Sequence, residues 1–150
     1  MIFENILEFM EIIYKGKNPG KNEYYKLFLT TGWNEKYKFT DEDLIAANKK
    51  SWYKVSAYHK KILIGYGRII SDGIYHALIA DMIVHPDYQN HGIGKNILNK
   101  LIQKCRKNNI RDIQLFCAKG KAGFYSSSGF EERPFDEPGM QLKVESSEKK

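Results

Sequence analysis

The sequence predicts an α/β fold built on one mixed sheet, with an antiparallel meander, a β-α-β crossover and helices on both faces. Three observations predict it. Residues 52–84 read as three successive strand patterns joined by short turn signals. An amphipathic helix pattern follows directly over residues 92–107. An apolar strand pattern over 112–118 completes a strand–helix–strand unit, most simply a parallel crossover.

Taken in order, Glu8 to Tyr14 reads as a first strand, and Lys15 to Asn22 as a loop rich in Gly, Pro, Asn and Lys. Glu23 to Thr31 has helical spacing through Tyr25, Leu27 and Phe28. Thr40 and Asp43 stand three apart ahead of Leu44, Ile45, Ala46 and Ala47, the capping-box signature of a second helix. Trp52 to Tyr58 alternates as a strand, His59-Lys60-Lys61 turns the chain, and Ile62 to Ser71 returns it. Asp72-Gly73 is a hairpin signal of the primed-turn kind, leading to a strand from Ile74 to Val84. In the long helix, Ile93, Ile97, Leu98, Leu101, Ile102 and Cys105 fall on one face of a 3.6-residue period. Asp112 to Ala118 reads as a central strand. Lys119 to Ser128 reads as a short helix stopped by Gly129, and Met140 to Val144 as a last strand before a solvated tail.

Composition bounds the function. At 150 residues and 42% hydrophobic, the chain can bury one core, so a single domain over 1–150 is expected. No apolar run approaches the ~18 residues of a membrane span. Glu4, Glu8 and Glu11 near the start speak against a secretory signal. Cys105 and Cys117 lack metal or disulfide spacing and read as free thiols, which points to the cytoplasm. His59, His76, His85 and His91 show no ligand spacing with them, so no metal is expected.

Charge is uneven. The net of +6 is concentrated between Lys95 and Lys121, where eight cations face one acid, Asp112. Such a patch suggests an anionic partner. Only four of the 24 cations are arginine, which speaks against reading of nucleic-acid bases. A solvated lysine-rich helix face and a smaller polyphosphate ligand remain the two readings.

The chemistry-bearing motif is Gln89-Asn90-His91-Gly92-Ile93-Gly94-Lys95, between the third meander strand and the long helix. Glycines at a helix start let backbone N–H groups approach an anion, which the helix dipole also favours. It is not a P-loop, because position 89 is Gln and Asn96 stands where Ser or Thr is required. Nor is it a dinucleotide fingerprint, because Ile97 occupies the third glycine position.

Val84-His85-Pro86-Asp87-Tyr88-Gln89-Asn90-His91-Gly92-Ile93-Gly94-Lys95, followed by Gly123-Phe124-Tyr125-Ser126-Ser127-Ser128-Gly129-Phe130, resembles the GCN5-related N-acetyltransferases (GNAT). The first stretch is similar to that family's (Arg/Gln)-x-x-Gly-x-(Gly/Ala) pyrophosphate loop, and the second to its tyrosine-bearing helix. The resemblance is strongest over 32–142. Gly32-Trp33, Arg68-Ile69-Ile70-Ser71-Asp72, Asp81 and Gly139-Met140 resemble the small amine acetyltransferases of bacteria and chloroplasts. A GNAT-like fold is thereby implied.

The resemblance implies acetyl-CoA as cosubstrate and a small-molecule primary amine as acceptor, with homodimers common among such folds. It implies that Met82, Ile83 and Val84 pair with the pantetheine arm through their backbone. Gln89, Asn90, His91, Gly92, Ile93, Gly94 and Lys95 would hold the pyrophosphate, and Tyr125 would protonate the departing thiolate. Many relatives carry Asn seven residues before this tyrosine, and here Ala118 takes its place. Asp81, a carboxylate in an apolar strand, reads either as the group that takes the amine's proton or as a structural acceptor. Trp33, Arg68, Asp72 and His76 are candidates for the acceptor pocket. Alternatives are a protein or peptide acetyltransferase, an acyl-CoA sensor and a nucleic-acid module.

Overall fold

The computed structural model describes residues 10–145 and divides the chain into two compact units, Met1–Leu115 and Phe116–Lys150. The first contains a five-stranded mixed sheet: β1 (Ile12–Lys15), β2 (Tyr53–His59), β3 (Ile62–Ser71), β4 (His76–Val84) and β5 (Asp112–Leu115), in that spatial order. Successive strands up to β4 are antiparallel, and β4 and β5 are parallel. The meander and crossover therefore stand as expected.

Helices α1 (Lys21–Leu29), α2 (Asn34–Tyr37) and α3 (Asp41–Lys49) precede the meander, and α4 (Ile93–Lys107) makes the crossover. Thr40 and Asp43 form the expected capping box at the start of α3, each side chain taking the other's backbone N–H. The strand alternation of β3 sorts the helices onto two faces. Tyr66 points into a core with Tyr24, Leu27 and Phe28 of α1, Leu44 of α3, and Leu63 and Ile83. Its neighbours Gly65 and Gly67 point the other way, under α4: a Cβ on either would stand 2.9 or 2.8 Å from the Ile97 side chain. Glycine lets α4 lie on bare backbone there, and Ile93, Ile97, Leu98, Leu101, Ile102 and Cys105 are all buried.

The two hairpins of the meander differ. Lys60 and Lys61 both have left-handed φ (48° and 65°) between paired residues His59 and Ile62, as a mirror-image two-residue turn requires. At Asp72-Gly73 no tight primed turn forms. The Asp72 carboxylate accepts the N–H groups of Ile74, Tyr75 and His76, holding residues 72–75 in a wider loop, so β4 starts at His76 rather than Ile74.

Other boundaries move for identifiable reasons. The first strand is shorter than expected, and residues 8 and 9 of it lie outside the described residues. Helix α1 begins at Lys21, where Glu23 reaches back to the Gly20 N–H, and it buries Tyr24 instead of Tyr25. Strand β5 ends at Leu115 and is the edge of the sheet, not a central strand; Phe116 is 71% exposed. An apolar run does not by itself mean burial between two strands.

In the second unit, α5 (Ala122–Ser126) occupies the middle of the expected helix, and Gly129 follows at φ 97°. The expected last strand does not form: Met140–Val144 carries no strand hydrogen bonding, and Met140, Leu142 and Val144 are 87%, 86% and 73% exposed.

Candidate active site

Strand β4 is bulged. Tyr66 faces Ile83 and Arg68 faces Ala80, so Asp81 and Met82 together oppose the single residue Gly67. Asp81 absorbs the extra residue with a left-handed φ of 53°, a conformation that costs a non-glycine residue roughly 1–2 kcal/mol. The side chains around it hold it there. Arg68 Nε donates to Asp81 Oδ2 at 2.6 Å, and Arg68 Nη1 donates to the Ala47 carbonyl and to Ser51 Oγ, both at 3.3 Å. The guanidinium thus ties the bulge to the end of α3.

Two tyrosine hydroxyls line the same face. Burial pushes both Tyr24 and Tyr66 well above the usual phenol range, and the Asp81 carboxylate pushes in the same direction. Both therefore stay protonated across the physiological range and can act only as neutral donors or acceptors. Sequence reasoning missed Tyr24, Ser51 and Tyr66. The signal for Tyr24 was its spacing from Leu27 and Phe28, three and four residues on, a better helical face than the one through Tyr25.

Beyond the bulge, β4 has an open edge. Strand β5 pairs with His76 to Ile79 only, so among the described residues no strand covers that edge from Ala80 to Val84. Met82, Ile83 and Val84 lie on this stretch, and the strand then runs through a short 3-10 turn (Pro86–Tyr88) into the glycine motif. Gln89 Nε2 donates to the Val84 carbonyl at 3.1 Å, folding the loop back on the strand end. The His85 ring accepts the Asp87 N–H, and the His59 ring lies 3.0 Å from the Tyr88 hydroxyl. These histidines brace the turn.

Asn90 and Gly92 have left-handed φ of 66° and 78°, and Gly92 is the residue preceding the first turn of α4. A Cβ on Gly92 would meet nothing within 4 Å, so backbone conformation, not space, calls for glycine there. No side chain caps this helix, and the first bond within it is Asn96 N–H to the Gly92 carbonyl. The N–H groups of Ile93, Gly94 and Lys95 are the ones a helix start leaves for an anion, beside exposed His91 and Lys95. A diphosphate fits this donor set.

The remaining candidates divide. Arg68 and Asp81 come together in the bulge. Asp72 and His76 lie at the opposite end of β4, roughly 16 Å from Asp81 along the strand at ~3.3 Å per residue. There the Asp72 carboxyl is held below its usual range by the N–H groups of Ile74 and Tyr75, and the His76 ring pairs with Asp112. Trp33 is 39% exposed and packs edge-on against Phe28, on the α1 side of the sheet.

In the second unit, Tyr125 lies on α5 with its ring edge-on to Phe124 and Phe130. Burial raises its hydroxyl pKa, with a further push from nearby Cys117, so the phenol is protonated at neutral pH. Among the described residues no group of acids, histidines and cysteines could hold a metal ion, and no helix is long and apolar enough to cross a membrane.

The acetyltransferase (GNAT) family model matches residues 20–130. The chain is 33% identical over 139 residues to the N-acetyltransferase ycf52 of Pyropia yezoensis, covering 89% of this chain and 78% of that protein. It is 35% identical over 108 residues to the histone acetyltransferase TAP1 of Glycine max, covering 64% of this chain but only 47% of that protein, under half its length. Among solved structures, a GNAT-family acetyltransferase from Streptococcus pneumoniae superimposes with a TM-score of 0.75 at 24% identity, over 91% of this chain and all of that one.

Proposed function

The chain belongs to the GNAT family of acyltransferases, and from that premise we propose that it moves the acetyl group of acetyl-CoA to the primary amine of a small molecule by direct attack. The observation that carries this reading is the open edge of β4 from Ala80 to Val84, which leads into the uncapped start of α4. On that edge Met82, Ile83 and Val84 offer backbone groups to an extended amide-bearing arm, as to an added strand. The N–H groups of Ile93, Gly94 and Lys95 hold the diphosphate, with Gln89, Asn90, His91 and Gly92 shaping the loop. Acetyl-CoA supplies the activated thioester carbonyl.

The chain's own residues move the protons. Tyr125 is the general acid. Burial keeps its hydroxyl protonated, and the hydroxyl gives that proton to the departing sulfur, whose conjugate thiol has an ordinary pKa near ~8.5. Asp81 receives the acceptor's proton, directly or through water, while Arg68 fixes the carboxylate's orientation. Trp33 and Arg68 remain candidates to select the amine, whereas Asp72 and His76 hold the β3–β4 loop at the far end of the strand. The two units form one acetyltransferase domain in this reading, since the family match runs across their boundary at Leu115. The free thiols Cys105 and Cys117 suit the reducing cytoplasm. A protein acceptor is the second reading, favoured by the histone acetyltransferase named among the relatives.

The deciding experiment measures thiol release from acetyl-CoA against arylalkylamines, polyamines, amino sugars, aminoglycosides and peptides. Turnover with a small amine and none with peptides is expected; the reverse replaces the first reading with the second. Tyr125→Phe should keep coenzyme A affinity within a few-fold and cut turnover by ~10²–10⁴. Turnover within threefold of the unaltered chain, measured where chemistry limits, would reduce Tyr125 to a packing residue.

A further inference from the structure

The proposed cofactor loop uses Lys95 but leaves unexplained the lysines further along α4. Lys100, Lys104 and Lys107 follow at offsets of five, nine and twelve. They line a cavity of about 340 Å³ together with Lys15, Tyr14 and Tyr53, where α4 crosses the end of β1 and the start of β2. That volume sits at the lower end of the ~300–1,000 Å³ range of small-ligand sites.

Two properties set this cavity apart from a solvated lysine face. First, among the described residues it has no counter-charge. No carboxylate lines it, and none of its four lysines is ion-paired among the described residues, where the lysine salt bridges fall on Lys21. Second, two of the ammonium groups are held. Lys100 Nζ lies 5.3 Å from the centre of the Tyr14 ring, and Lys104 Nζ lies 5.1 Å from Tyr53 and 5.7 Å from Trp52. Lys15 Nζ instead lies 5.3 Å from the ring of Tyr58, which packs on the α1 side of the sheet, so its ammonium turns away from this cavity. Asn96 Nδ2 fixes the Tyr14 hydroxyl at 3.0 Å, so the ring under Lys100 is itself positioned.

A free lysine side chain loses much rotamer freedom when it grips a ligand. Aromatic faces that already hold the ammonium groups reduce that loss and leave a preorganised cluster of positive charge. Lys100, Lys104 and Lys107 stand within about two turns of one helix, so their potentials add. The rings carry lysines on their faces, so they are poor platforms for stacked bases, which disfavours a nucleic-acid strand. The cavity is also separate from the α4 start: nine residues from Lys95 to Lys104 span roughly 13 Å along the helix.

We propose that this cavity is a second anion site, distinct from the cofactor loop, that takes a compact polyphosphate group carrying three or more negative charges. The group could come from a free phosphate chain or from a nucleoside triphosphate, since both present the same chain of oxygens.

The test is calorimetry on the full chain with tripolyphosphate, in the presence of saturating coenzyme A to occupy the loop. One-to-one binding that persists under coenzyme A and weakens as salt rises is expected. Kd should increase at least tenfold in Lys100→Ala/Lys104→Ala, with Lys100→Gln/Lys104→Gln as the second pair should the first not fold. ATP binding as tightly as tripolyphosphate assigns the chain of phosphates as the recognised part, and ATP binding tenfold tighter assigns the nucleotide. Loss of tripolyphosphate binding on adding coenzyme A overturns the proposal, as does unchanged affinity in both lysine pairs. A single-stranded oligonucleotide that binds more tightly than either phosphate, and is weakened by the same pairs, also overturns it.

Discussion

The two ends of β4 carry similar numbers of polar candidates and treat them in opposite ways. At the His76 end the chain satisfies its own groups: Asp72 takes three backbone N–H groups of its loop, and His76 pairs with Asp112. At the Val84 end it leaves them open. Among the described residues no strand pairs with that edge from Ala80 onward, and the first turn of α4 has no side-chain cap. Backbone strain follows the same division. Lys60, Lys61, Asp81 and Asn90 have left-handed φ toward the Val84 side of the sheet, whereas the other end has one such non-glycine residue next to its strands, Asn109 before β5, beside Gly73 in the β3–β4 loop. Strain concentrated where backbone groups are left unpartnered is the pattern of a binding site. Polar residues that already bind one another describe a turn.

The contrast can be broken most forcefully at Arg68, between the two ends. Replacing one member of a fully buried ion pair costs ~3–5 kcal/mol, and the partial exposure of this pair, 16% and 25%, lowers the expected figure to about 2 kcal/mol. Arg68→Met should therefore lose about that much in urea denaturation, and Arg68→Met/Asp81→Asn should recover part of it. A loss below ~0.5 kcal/mol would mean that the bulge holds its shape without the guanidinium.

Next in size is the α4 start. Gly94→Val should fold normally and weaken coenzyme A at least ~10-fold, or ~1.4 kcal/mol, by placing a branched side chain among the diphosphate's donors. Unchanged affinity by calorimetry would remove the loop from the cofactor site. The corresponding change at the other end, Asp72→Ala, should leave coenzyme A affinity alone and lower Tm by a few degrees at neutral pH. Its pH dependence has a defined sign. The folded carboxyl pKa lies below the unfolded value of ~3.9, so the stabilisation is present above about pH 4 and disappears as the pH falls through the lowered value. The Tm gap between Asp72→Ala and the unaltered chain should close below pH 4. A gap that stays constant to pH 3 would assign Asp72 no ionic role in the loop.

Much of this arrangement was legible in the sequence because it rests on local signals. The alternation of Trp52 to Tyr58, the box at Thr40 and Asp43, and the 3.6-residue period from Ile93 to Cys105 each need only neighbours to be read. The bulge at Asp81 was not legible, because an extra residue in a strand shows only against its partner, here the single Gly67 opposite. Asp72 misled for a related reason. Asp-Gly is a turn signal, but the carboxylate's choice between a tight hairpin and a wider loop depends on which N–H groups come near. The place of β5 in the sheet also depended on partners, since an apolar run such as Ile113 to Cys117 does not state how many strands flank it.

The smallest expected effect tests whether strain at the Val84 end is needed for binding or merely tolerated. The β2–β3 turn puts two lysines in left-handed φ, where mirror-image hairpin turns favour Asn-Gly. A side chain in that region costs up to ~1–2 kcal/mol, and glycine removes the cost, although its own freedom in the unfolded chain returns part of the gain. Lys61→Gly should therefore stabilise the chain by roughly 0.5–1 kcal/mol in urea denaturation. The turn takes no part in the proposed cofactor contacts, so coenzyme A affinity should stay within twofold. Greater stability at unchanged affinity would separate the hairpin from the site and leave Asp81 and Asn90 as the strained positions that serve binding. A loss of affinity alongside the gain in stability would tie the Lys60-Lys61 turn to the loop that follows β4, through the contact of the His59 ring with the Tyr88 hydroxyl.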